Sequence, residues 1–151
     1  MSAPVRPGTV VGMTDPAAEG RRRAEELLSL LSTDEDGADR LLDGVPEIRD
    51  LVFTGAGLTA VARAEARSLP PAQRAQANTR QLRLGVLRDA SRDSPAGLRS
   101  WVRQAAEEIL LIRSQQAIAD TVTAVDQDRT AARVAAEATG SAAVSSTATS
   151  T

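Results

Sequence analysis

The chain has 151 residues, which allows one domain, and 42% of them are apolar, which is enough for a hydrophobic core. Phe53 and Trp101 are its only aromatic residues, which favours close-packed helices filled by alanine and leucine over β-sheets. The net charge is −2, and the absence of cysteine and histidine excludes disulfides, thiolate metal sites and the commonest general base.

All 18 basic residues are arginines, which GC-rich codons explain most simply, so the sequence indicates a bacterial source. No apolar stretch near the N-terminus is long enough for a signal peptide or a membrane span, which predicts a cytoplasmic protein without membrane contact. Residues 15–50 carry eleven acids and five arginines, whereas residues 51–100 carry three acids and eight arginines. This asymmetry fits either attraction between two parts of one fold or a basic surface for an acidic partner.

Helix signals begin after residues 1–13, which proline and glycine interrupt and which we expect to be disordered. Asp15 as N-cap and Pro16 at the first helical position predict a helix that ends near Ser32. A single helical domain is expected to follow, over residues 14–138.

Ser32 and Glu35 have the spacing of a capping box, which predicts a second short helix that ends before Gly44. A third helix is expected over residues 46–53 and a fourth over residues 57–69, joined by a turn with the sequence T-G-A-G. Helices of this size around a tight turn are compatible with a helix-turn-helix.

A fifth helix is expected from about residue 71 to residue 91, and its apolar positions predict a buried face made of Ala75, Leu82, Val86 and Ala90. Its other side carries a polar stripe at helical spacing, made of Arg74, Asn78, Gln81, Gly85, Arg88 and Arg92. Three interpretations stay open: a solvated surface, an anion or nucleic-acid contact, or close approach of another helix at Gly85.

The last helix is the longest and organises the rest of the chain. Ser94 is a suitable N-cap and Gly140 a suitable C-terminal stop, so the sequence predicts one helix over about residues 95–138. Residues 139–151 are small and without periodicity, and we expect them to form a disordered tail. The fold class is therefore all-α, with about five short helices packed on one long C-terminal helix.

Two apolar stripes lie on this long helix. The first predicts its contact with the bundle and comprises Trp101, Val102, Ala105, Ile109 and Ile112. The second lies on a different face and resembles a short coiled-coil seam, comprising Leu111, Gln115, Ile118, Val122, Val125, Arg129 and Ala132. The second stripe either covers another helix of the same chain or binds another chain.

The sequence contains no nucleophile elbow, no metal-ligand spacing and no phosphate-binding glycine motif, so we expect no enzymatic activity, no cofactor and no metal. The favoured hypothesis is a non-catalytic helical module that binds a protein partner or forms a homo-oligomer through Leu111, Gln115, Ile118, Val122 and Val125. The alternative is a small nucleic-acid-binding regulator that uses Arg74, Asn78, Gln81, Arg88 and Arg92. Against this alternative stand the net negative charge and the absence of stacking aromatic residues on the stripe.

Overall fold

The computed structural model describes the backbone of residues 15–148 and the side chains of residues 15–140. Every regular element in this range is an α-helix, which confirms the all-α class. The helices are α1 (Pro16–Thr33), α2 (Glu35–Asp43), α3 (Ile48–Ala66), α4 (Pro71–Ala90) and α5 (Pro95–Ala148). The chain divides into two units, here called the bundle (residues 15–114) and the C-terminal segment (residues 115–148). The predicted disordered residues 1–13 lie outside the described part.

Local capping explains where α1 and α2 begin. The Asp15 side chain accepts a hydrogen bond from the amide of Ala17 at 3.2 Å, as expected of an N-cap before Pro16. The predicted capping box at Ser32 is wrong, because Asp34 caps α2 by accepting from the amide of Gly37 at 3.0 Å. The hydroxyl of Ser32 instead donates to a carbonyl one turn back, within α1.

The predicted third and fourth helices are one helix, α3, which contains the T-G-A-G sequence without a break. Both glycines lie within the helix rather than in a turn, and Gly55 serves close packing. A Cβ atom on Gly55 would overlap the indole ring of Trp101, and a Cβ atom on Gly57 would lie 3.5 Å from the backbone of Arg21 in α1. Four short helices therefore accompany the long one within residues 15–148, and the helix-turn-helix interpretation is wrong.

A third glycine, Gly20 of α1, allows α1 to approach the backbone of α3 closely. A Cβ atom on Gly20 would lie 2.7 Å from the backbone carbonyl carbon of Phe53. Because a real side chain cannot approach a backbone so closely, this crossing requires glycine. The bundle core around it is built from small and aliphatic side chains, as the composition predicts, and includes Leu27, Leu51, Leu58, Leu69 and Val102.

Helix α4 turns a different face to the core than the sequence predicts. Ala77 is its buried residue, and Leu84 and Leu87 pack partly against the core, whereas Leu82 is 74% exposed and Val86 is 69% exposed. Ala75 and Ala90, the other two residues of the predicted face, are exposed as well, so the prediction that this face is buried is wrong. Both faces carry apolar residues, and the packing of α4 in the bundle selects the less obvious one.

Helix α5 begins as predicted, because the hydroxyl of Ser94 accepts from the amide of Gly97 at 3.0 Å. Its first apolar stripe, Trp101, Val102, Ala105, Ile109 and Ile112, is buried in the bundle, which confirms the prediction. The helix does not stop at Gly140 but continues to Ala148. A single glycine costs only about 1 kcal/mol in a helix, and alanines occupy positions 138, 142 and 143 close to this one. The predicted disorder of residues 139–151 stays a prediction.

Candidate protein-interaction surface

Arginine–carboxylate pairs hold α5 in the bundle as far as residue 113. Arg103 pairs with Glu35 of α2 at 2.7 Å, and Arg113 donates to Glu65 of α3 at 2.8 Å. The pKa of Arg103 is raised chiefly by its hydrogen bond to Glu107, and that of Arg113 by its hydrogen bond to Glu65. These guanidinium groups therefore stay charged wherever the bundle is folded.

A further pair ties α4 to α5 at a buried position. The Nε atom of Arg80 donates to both carboxylate oxygens of Glu108, at 2.9 and 2.7 Å. The Glu108 side chain is only 6% exposed and that of Arg80 is 25% exposed. The two side chains therefore form an ion pair that joins α4 to α5 at a position largely removed from water.

The C-terminal segment differs from the bundle in having almost no buried side chains. Every side chain from Thr121 to Gly140 is exposed. Exposed fractions of its large apolar side chains are 60% for Ile118, 54% for Val122, 43% for Val125 and 58% for Val134. These values describe aliphatic groups in water on an otherwise regular helix.

Three of these four side chains lie on one side of the helix. We call this side the C-terminal face and define it by residues that alternate in steps of three and four: Gln115, Ile118, Val122, Val125, Arg129, Ala132 and Ala136. Val134 lies elsewhere on the helix surface. The predicted stripe residues Gln115, Ile118, Val122 and Val125 therefore share one face of one segment.

Leu111, the remaining residue of the predicted stripe, belongs to the bundle. It is 42% exposed and lines a cavity of about 340 Å³ between α4 and α5, beside Leu84 and Leu87. Leu111 thus borders a cavity of the bundle while it is about as exposed as Val125. Within the C-terminal segment the candidate surface begins at Gln115, whose side-chain oxygen accepts no hydrogen bond from the described residues.

Thr121, next to the C-terminal face, is more apolar than the sequence suggests. Its hydroxyl donates to the carbonyl of Ala117 at 2.9 Å. A hydroxyl that is bound to its own helix leaves the methyl group as the outward part of the side chain.

The alternative nucleic-acid stripe stays a prediction, and two of its arginines make contacts within the chain. Arg74 donates to the carbonyl of Leu69 at 3.2 Å, and Arg88 donates to the carboxylate of Asp89 at 3.1 Å. Gln81 is half-buried and its amide nitrogen has no hydrogen-bond partner among the described residues. Arg74, Asn78, Arg88 and Arg92 are all exposed to solvent.

The interpretation of Gly85 as a point of close helix approach is wrong. A Cβ atom placed on Gly85 meets no heavy atom within 4 Å among the described residues. The glycine instead borders a cavity of about 290 Å³ that is lined by Trp101 from α5 and by residues of α3 and α4.

Sequence reasoning missed this cleft over Trp101, with Leu82 and Val86 on its α4 side. The sequence signal for the true buried face of α4 is a second apolar series, in which Ala77, Leu84 and Leu87 follow one another at intervals of seven and three residues. That series competes with the one containing Leu82 and Val86, and periodicity cannot rank two apolar faces of one helix.

Among the described residues, no cluster of three or more acidic side chains is arranged to hold a metal ion. None of the helices in the described range combines the length and apolar character that crossing a membrane requires. Comparisons with protein-family models, with curated proteins and with solved structures find no match to this chain.

Proposed function

We propose that this protein is a non-catalytic helical module that associates with other protein chains through its C-terminal face. One observation carries the proposal: Ile118, Val122 and Val125 are 43–60% exposed on one side of a helix that packs on nothing within the C-terminal segment. Aliphatic groups aligned on one helix face gain free energy when another surface removes them from water.

Helix propensity supports the same conclusion. Eight of the 26 residues from 115 to 140 are β-branched, and valine, isoleucine and threonine favour helix less than alanine or leucine. Most helical stability in proteins comes from packing of an apolar face rather than from propensity. The segment thus has an apolar face suited to packing, and an associated chain would supply the missing contacts.

The absence of an assembled reactive site among the described residues supports the non-catalytic part of the proposal. In the cavity between α4 and α5, Glu108 is bound by Arg80, and the other acidic side chain there, Glu107, is bound by Arg103. The T-G-A-G sequence is helical and packs against Trp101, so it offers no anion-binding loop.

Paired aspartate substitutions test the proposal. Ile118→Asp with Val122→Asp places two charges on the C-terminal face, whereas Thr123→Asp with Gln127→Asp adds the same charge elsewhere on the same helix. We expect the first pair to reduce the assembled mass in size-exclusion chromatography with light scattering, and to reduce helical content by circular dichroism. The second pair should change both much less. If the first pair leaves mass and thermal midpoint unchanged, the proposal fails.

A further inference from the structure

We infer that the partner of the C-terminal face is a second copy of this chain, aligned parallel and in register; the inference rests on the proposed function. The face follows a heptad pattern in which Gln115, Val122, Arg129 and Ala136 occupy a positions. Ile118, Val125, Ala132 and Thr139 occupy d positions. In a parallel, in-register pair each residue of this face meets its own copy.

Apolar matching favours this register over antiparallel ones. In register, Ile118, Val122 and Val125 each face an identical branched side chain, so the three largest groups pack on one another. An antiparallel pair sets a positions against d positions, and no such register matches all three. If Val122 faces Val125, then Ile118 faces Arg129, and if Val122 faces Ile118, then Val125 faces Gln115.

The flanking charges favour the same arrangement. Asp128 lies at a g position and Arg133 at the e position five residues later, which are the positions that meet across a parallel pair. Each of the two helices would therefore contribute one acid and one arginine to two equivalent ion pairs. In the antiparallel register that pairs Val125 with Arg129, by contrast, Asp126 and Asp128 each face their own copy.

Polar residues at a positions would fix the alignment. Gln115 and Arg129 stand at two of the four a positions, and single polar residues there specify register at some cost in stability. The long side chain of Arg129 can bend out of the interface toward Asp128 of the other copy, which keeps its charge solvated. A shift by one heptad would place both polar residues against valine or alanine.

The absence of cysteine from the sequence makes a disulfide test free of background. Single variants Val122→Cys and Ala136→Cys place a thiol at a positions, and Val134→Cys places one at an outward position of the same helix. A disulfide needs Cα atoms within about 7 Å, which own-copy contact at an a position allows. The full-length chains are oxidised mildly at several concentrations, and covalent dimers are counted on non-reducing gels.

We expect Val122→Cys and Ala136→Cys to form covalent dimers at least ten times faster than Val134→Cys. Ala136 is decisive. In any antiparallel register in which Val122 or Val125 still packs on the partner's C-terminal face, the two copies of Ala136 lie about 16 Å or more apart along the helix axis. If the chain associates but Ala136→Cys reacts no faster than Val134→Cys, the parallel inference is overturned and the proposed function stands. If the chain neither associates nor responds to Ile118→Asp, both fail.

Discussion

The indole ring of Trp101 lies against the backbone of Gly55, so closely that no Cβ atom fits between them. This contact joins α5 to α3 and explains a glycine that would otherwise weaken the middle of a helix. It also explains why the T-G-A-G sequence is helical, since the small residues make room for the indole on one side and for α1 on the other.

Replacement of Gly55 and of Gly57 by alanine should therefore have opposite effects on the free energy of unfolding. Gly55→Ala should destabilise the fold by about 1–3 kcal/mol, because the indole must move to admit a methyl group. Gly57→Ala should be neutral or stabilising by up to about 1 kcal/mol, since its Cβ atom would make ordinary contacts at 3.5–3.7 Å. Urea unfolding followed by the fluorescence of the single tryptophan measures both. Equal effects of the two substitutions would contradict the packing described here.

The buried pair between Arg80 and Glu108 should be a main attachment of α4. Glu108→Gln keeps the size of the side chain and one acceptor oxygen but removes its charge, and we expect a loss of about 1–3 kcal/mol because a neutral amide oxygen accepts more weakly from the Arg80 guanidinium and leaves its charge uncompensated. The neighbouring Glu107 has a side chain that is 53% exposed, so Glu107→Gln should cost less than about 0.5 kcal/mol. Chemical denaturation of the two variants, side by side, checks the difference.

Gly85 is expected to be replaceable. Its added methyl group would meet no heavy atom within 4 Å among the described residues, so Gly85→Ala should stabilise the chain by about 0.5–1 kcal/mol through better helix propensity. The thermal midpoint should rise by a few degrees, as is typical of that free-energy change in a domain of this size. A marked fall would show that α4 packs more closely at this point than the structure indicates.

The sequence predicts helices well where a cap, a proline and one apolar stripe agree. Asp15 with Pro16 and Ser94 with Pro95 mark the starts of α1 and α5, and the stripe containing Trp101 identifies the buried side of α5. Prediction fails where a choice depends on a distant neighbour. Whether the T-G-A-G sequence turns or packs depends on Trp101, which lies more than forty residues further along the chain.

The candidate surface, too, could be predicted from the sequence only in part. The spacing of Ile118, Val122 and Val125 is sufficient to predict a shared face, and the structure adds that this face is exposed. The position of Leu111 beside a cavity could not be predicted, because that cavity, which Leu84 and Leu87 also line, depends on how α4 packs beside α5. Helix α4 likewise has two apolar faces of similar size, and only the tertiary packing determines which of them is buried.

Charge exchange tests the ion pairs of the parallel arrangement. Asp128→Arg or Arg133→Asp alone should weaken self-association about two- to tenfold, since each turns two attractive pairs into repulsive ones. The double exchange should recover part of the lost affinity, and added salt should reduce all of these differences. Analytical ultracentrifugation at low and high salt gives the comparison. Additive losses in the double variant would contradict direct pairing of the two residues.

The most direct test of self-association is the solution mass of the unmodified full-length chain, measured by sedimentation equilibrium over a hundredfold range of concentration. We predict a mass that rises from the 15.8 kDa of one chain toward a whole multiple of it, and that returns toward one chain when Ile118→Asp and Val122→Asp are introduced. A mass of one chain at every concentration would contradict self-association through the C-terminal face.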